Sequence, residues 1–65
     1  MKVKVNGSEM VVKAKTIVEL LQELEINPQR VVVEVNLEII KRDRFSEYKI
    51  KDGDSIEIVN FVGGG

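Results

Sequence analysis

Few residues in this chain are of a type that does chemistry, and the most distinctive of them stand together at its end. Gly63, Gly64 and Gly65 directly follow Val62. Glycine loses more conformational entropy on ordering than any other residue, so three in a row do not order unaided. One reading is a frayed terminus, since termini fray often. The other is that a partner draws the main chain into a channel too narrow for a Cβ and receives the carboxylate of Gly65 at a reactive centre. Four residues from Val62 reach roughly 13 Å when extended, enough to enter an active site while a folded body stays outside. Two other groups carry charge in a pattern. Asp52 and Asp54 flank Gly53, but a calcium loop needs more ligands, and two carboxylates around a turn glycine read as turn residues. Lys2, Lys4, Lys13 and Lys15 are expected on the open face at one sheet edge, where lysines discourage strand-to-strand aggregation. Steering of an acidic partner ranks second for them. RNA binding ranks third, for want of an aromatic stacking platform.

What is missing narrows the chemistry further. The 65 residues include no histidine, cysteine or tryptophan. There is then no thiolate nucleophile, no imidazole base and no set of zinc ligands. No disulfide is available, so packing alone must hold the fold, which suits a reducing cytoplasm. A length of 65 residues allows one domain and leaves little room for a deep catalytic cleft, so an enzyme is not expected. With 43% hydrophobic and 32% charged residues, the balance is that of a folded soluble domain and not of a disordered tail. Ten basic against eleven acidic side chains leave a net charge of −1, which predicts no bulk attraction to nucleic acid or anionic lipid. A strand-like segment follows Met1 in place of a basic and then apolar leader, so no signal peptide is expected. The longest apolar run, 31–33, is far too short to cross a membrane.

The elements that must position the tail follow from periodicity. Val3 and Val5 alternate with Lys2 and Lys4, as in a half-buried strand. Asn6-Gly7 is a tight-turn dipeptide, and Met10, Val12 and Ala14 then share one face of a second run, which predicts a hairpin. Thr16 stands three residues before Glu19, the spacing of a capping box. Ile17, Leu20, Leu21 and Leu24 follow as an apolar stripe, predicting a helix over 16–26 that Asn27-Pro28 ends. Glu19, Glu23 and Glu25 should face water. The β-branched stretch 31–35 predicts a third strand, 37–40 a short fourth after a turn at Asn36, and 41–48 an irregular segment with one helical turn. After a turn at 51–54, the run 55–61 is the last strand, with Ile56 and Ile58 on one face and Glu57, Val59 and Phe61 on the other.

This order predicts an α+β fold, a mixed four- to five-stranded sheet covered on one face by a single helix, which is the β-grasp or ubiquitin-like arrangement. The helix stripe should bury against Val3, Val5, Val12, Ile56 and Ile58. The domain is expected over 1–62, with 63–65 as a flexible glycine tail. Val32, Val59, Phe61 and Val62 are expected to form a partner interface beside that tail, rimmed by Glu34 and Glu57.

The whole chain resembles the ThiS family of sulfur carriers of thiazole formation in thiamine biosynthesis. The likeness runs through Asn6-Gly7, the helix beginning at Thr16, Val33-Glu34-Val35-Asn36, Ile40-Lys41-Arg42 and Asp52-Gly53-Asp54. It ends in Ile56-Glu57-Ile58-Val59 leading to Phe61-Val62-Gly63-Gly64-Gly65. The related small subunit of molybdopterin synthase tends to carry prolines where this chain has Phe61-Val62, which favours the thiazole branch. The resemblance implies a cosubstrate and not a catalyst. An E1-like, ThiF-like enzyme would spend ATP to adenylate the Gly65 carboxylate, and Gly63 and Gly64 would thread its channel. A persulfide donor would convert the adenylate to a thiocarboxylate, and a ThiG-like thiazole synthase would take the sulfur. No bound cofactor, nucleic acid or membrane is implied, and a cytoplasmic monomer is expected. A carrier for molybdopterin or another sulfur metabolite, and a ubiquitin-like interaction module that never carries sulfur, stay open as alternatives.

Overall fold

The computed structural model describes residues 1–61. Two hairpins are set by the same device. β1 (Lys2–Val5) turns into β2 (Ser8–Val11) through Asn6 and Gly7, both at positive φ. β3 (Val31–Val35) turns into β4 (Glu38–Ile40) through Asn36 and Leu37, again both at positive φ. Two central residues of this kind match the right-handed twist of the strands they join. Gly7 takes its φ of 85° freely, having no Cβ.

The helix α1 (Ile17–Glu23) is shorter than periodicity predicts. Its N-cap is Thr16, whose Oγ1 accepts from the Glu19 backbone N–H at 3.2 Å. The return half of the capping box shifts by one residue, since the Glu19 carboxylate accepts from Lys15 N at 2.8 Å. The helix stops before Asn27-Pro28. Glu25 enters the left-handed region at φ 59°, Ile26 N bonds to Leu21 O, and Glu25 N bonds to Gln22 O. This is a Schellman motif, with Ile26 half-buried against the core it closes over. Asn27 then caps a short 3₁₀ turn, Pro28–Arg30, with Pro28 at its start.

The last strand, β5 (Ser55–Asn60), completes a five-stranded mixed sheet in the order β2-β1-β5-β3-β4. β5 runs parallel to β1 and antiparallel to β3, while β1/β2 and β3/β4 are antiparallel. Ile17, Leu20 and Leu21 from α1 are fully buried against Val3, Val5, Val12, Val33, Val35, Ile56 and Ile58, so the expected β-grasp packing holds. Phe45 and Ile50 also enter the core, from the irregular segment that carries a second 3₁₀ turn, Arg42–Arg44.

Two carboxylates that read as turn residues hold this segment in place. Asp52 Oδ1 accepts from Lys2 N at 2.7 Å, and Gly53 N bonds to Lys2 O, fastening the 51–54 turn to the start of β1. Asp54 is buried and accepts from Lys51 N and from Asn36 Nδ2, while Asn36 Oδ1 accepts from Ser55 N. Among the described residues every buried side-chain nitrogen or oxygen has a partner. The lysines fall differently from expectation. β1 lies inside the sheet and β2 ends at Val11, so Lys2 and Lys4 form a solvated band and do not guard an edge. Lys13 and Lys15 lie beyond β2, their backbone N–H groups taken by the Glu23 and Glu19 carboxylates.

Two substitutions test this packing. Leu21→Ala removes a fully buried side chain and should cost roughly 2–5 kcal/mol in urea unfolding, a large share of what a core this small supplies. Asp54→Ala leaves Lys51 N and Asn36 Nδ2 without their acceptor and should cost on the order of 1–3 kcal/mol by the same measurement. An unchanged midpoint for either would mean that the side chain is not packed as described.

Candidate functional site

The helix covers one face of the sheet, and alternation along β5 decides what the other face shows. Ile56 and Ile58 point into the core, which turns Glu57 and Val59 outward. On β3 the same alternation buries Val31, Val33 and Val35 and leaves Val32 and Glu34 on the open face. The antiparallel register sets Val32 directly opposite Val59, and Glu34 directly opposite Glu57. Val32 is 39% exposed and Val59 56%. They form a small exposed apolar pair at the centre of the sheet.

Past the end of β5 the ladder continues for one more bond, from Phe61 N to Arg30 O at 2.9 Å. This bond carries Phe61, 39% exposed, onto the end of the sheet beside Val32 and Val59. The three expected interface residues within the described range therefore come together. Val62, Gly63, Gly64 and Gly65, the rest of the expected interface and the whole tail, lie outside the described residues, and so does the expected boundary between domain and tail.

Two exposed apolar residues were not expected. Ile39, 64% exposed, sits on β4 opposite Glu34. Leu37, 89% exposed, stands at the β3–β4 turn and lines a shallow groove with Asn36, Ser55 and Glu57. Ile39 is signalled by the alternation of Glu38, Ile39 and Ile40, of which only Ile40 turns inward. Leu37 carries no such signal, because it occupies the turn position where Asn-Gly hairpins place glycine.

The described site is built of apolar side chains and the carboxylates of Glu34 and Glu57. The phenol of Tyr48 is held above its ordinary value, by partial desolvation first and by the Asp54 and Glu38 carboxylates second, so it stays protonated and supplies no base near neutral pH. What the described residues present is an open sheet face with Val32, Val59 and Phe61 exposed on it.

Comparison with known proteins agrees with this geometry. Residues 3–65 match the model of the ThiS family. The sulfur carrier protein ThiS of Bacillus subtilis is 48% identical over 50 residues, covering 77% of this chain and 76% of that protein. A thiazole synthase of Paramagnetospirillum magneticum is 44% identical over 66 residues, covering all of this chain, which spans 20% of the synthase's length. The crystal structure of the thiamine biosynthesis protein ThiS from Geobacter metallireducens superposes with a TM-score of 0.86 at 36% identity, over 100% of both chains. Since the match takes in both the described fold and the glycine tail beyond it, the chain belongs to the ThiS family.

Proposed function

We propose that the chain is a sulfur carrier that serves thiazole formation in thiamine biosynthesis, as a protein cosubstrate and not as an enzyme. One observation carries the reading above all. The central strand of the sheet ends at Asn60, three residues before the first of the three glycines, with the Val32–Val59 pair on the open face beside it. A partner that grips that face is then positioned to receive the main chain of 62–65. The Bacillus relative, a sulfur carrier by name, and the synthases that contain a region alike over this whole chain support the same reading.

The chemistry follows from what a carboxylate lacks. It is a poor electrophile, because attack must expel an oxide-like leaving group. An E1-like adenylating partner uses ATP to join AMP to the Gly65 carboxylate and releases pyrophosphate. The terminal sulfur of a partner's persulfide then attacks the carbonyl carbon and expels AMP. A thiol cleaves the resulting acyl disulfide, leaving a thiocarboxylate on Gly65. The thiazole synthase takes that sulfur. Gly63 and Gly64 let the chain pass where a Cβ would not fit. The carrier supplies no base, metal or oxyanion hole to these steps; its partners do. It works in the cytoplasm as a monomer and binds no cofactor, nucleic acid or membrane.

Intact mass after incubation with ATP, a sulfur source and an extract of the source organism tests the reading. The expected gain equals one oxygen exchanged for one sulfur. Removal of Gly65 should abolish it while leaving the unfolding midpoint unchanged, since the core is built from residues 3–58. An unchanged mass for the intact chain, in an extract that modifies a known carrier, would refute the proposal. Val59→Asp should weaken binding to the adenylating enzyme about tenfold or more in calorimetry and leave the fold intact, because Val59 is on the open face. A clear loss of thermal stability would show that Val59 supports the core instead.

A further inference from the structure

Two features of the open face work against the stability of the free domain, and they lie at the end of the sheet away from the tail. The first is the cross-strand pair Glu34 and Glu57. Like charges directly opposite each other on antiparallel strands are destabilising. The row beside them is apolar, Val32 and Val59, and Ile39 stands opposite Glu34 on β4, so no side chain of opposite charge lies directly across from either carboxylate. Among the described residues neither Glu34 nor Glu57 forms an ion pair. Lys4 is in register with Ser55, one row away, and the one ion pair among the described residues is Arg44–Glu47. The second feature is Leu37, a bulky residue at φ 72° whose side chain is 89% exposed. Glycine or asparagine would hold that turn with less strain, and leucine gains nothing there from burial.

We propose that the open face of β5, β3 and β4, from Phe61 to Leu37, docks a protein partner that places an arginine or lysine between Glu34 and Glu57 and an apolar socket around Leu37. Arginine suits the site well, since its planar fork can bond two carboxylates at once. A second copy of this chain is a poor occupant. About a two-fold axis through this row, each acidic pair would meet its own image. The strip runs from residue 55 to residue 61, six residue steps or about 20 Å, so the partner grips the carrier along this face and not only at the tail. The proposal rests on the carrier reading in naming the enzymes to try, an adenylating enzyme and a thiazole synthase of the source organism.

The test pairs two readouts on the same variants, Glu57→Gln, Glu34→Gln, Leu37→Gly and Leu37→Asn. Thermal unfolding of the free protein should rise by about 2–6 °C in each. Calorimetric binding to at least one of the two enzymes should weaken about tenfold. For the glutamine variants the loss should shrink as salt is raised. Opposite signs in the two readouts are the result expected of a face kept for docking. Higher unfolding temperatures with unchanged affinity for both enzymes would overturn the proposed surface and leave the carrier reading standing. Concentration-dependent dimers that the same substitutions dissolve would overturn it in favour of a second copy. An intact chain that binds neither enzyme would overturn both readings.

Discussion

The structure depends on the placing of the last strand in the middle of the sheet. β5 pairs with β1 on one side and β3 on the other, so the two hairpins meet only through it. Until the end of the chain arrives, neither hairpin has a ladder to the other, and the helix has half a sheet to cover. The pairing with β1 is parallel, which a tight turn cannot connect, and the crossing helix and the long 36–54 excursion supply the needed length. The strand that closes the core is also the one whose end leads into the glycine tail. Loss of β5 would remove the fold and the site together.

A domain of this size has too little core to leave its loops to chance, and it uses side-chain acceptors in place of regular structure. The Glu23 carboxylate takes the N–H groups of Lys13 and Ala14, which keeps the connection into the helix close to the helix itself. Asn6 reaches across the sheet, accepting from Ile58 N at 2.7 Å and donating to Ile58 O, so the first hairpin turn is tied to β5. Asp54 and Asn36 do the same at the other end of β5. Each bond is worth little in water, but each answers a backbone group that burial would otherwise leave unpaired. The carboxylates of Glu19, Glu23, Asp52 and Asp54, which look like plain surface in the sequence, are therefore structural.

Features with a period or a turn dipeptide were legible in the sequence. Of the stripe Ile17, Leu20, Leu21 and Leu24 the first three are buried as expected and Leu24 only partly, the alternation of β1, β3 and β5 gives their faces, and Asn6-Gly7 marks its turn. Features decided by single hydrogen bonds were not. Pro28, a strong stop signal, predicts a helix to 26, yet Glu25, an unfavourable residue for the left-handed region, ends it earlier in a motif favoured by the burial of Ile26. The lysines were placed at an edge because strand order cannot be read from periodicity, and the insertion of β5 made β1 an inner strand. Phe45 and Ile50 were passed over because they sit among charges with no repeat around them. Of the site, Val32, Val59 and Phe61 were legible through alternation. Leu37 was not, since nothing in the sequence says that a leucine takes the place of a turn glycine.

The open face must meet two demands that oppose each other. To be gripped by a partner it must keep apolar groups uncovered, but a fully apolar sheet face on a small soluble domain invites association with the wrong surfaces. Along β5 the alternation answers the first demand with Val59 and the second with Glu57, one row apart. The register with β3 repeats the choice, setting valine against valine and glutamate against glutamate, so the strip is banded and not mixed. Banding concentrates repulsion where a mixed arrangement of opposite charges would relieve it. A domain selected for stability alone would place a lysine opposite one of the two glutamates. The presence of both, beside an exposed leucine in a strained turn, fits a face whose lowest energy is reached when it is covered.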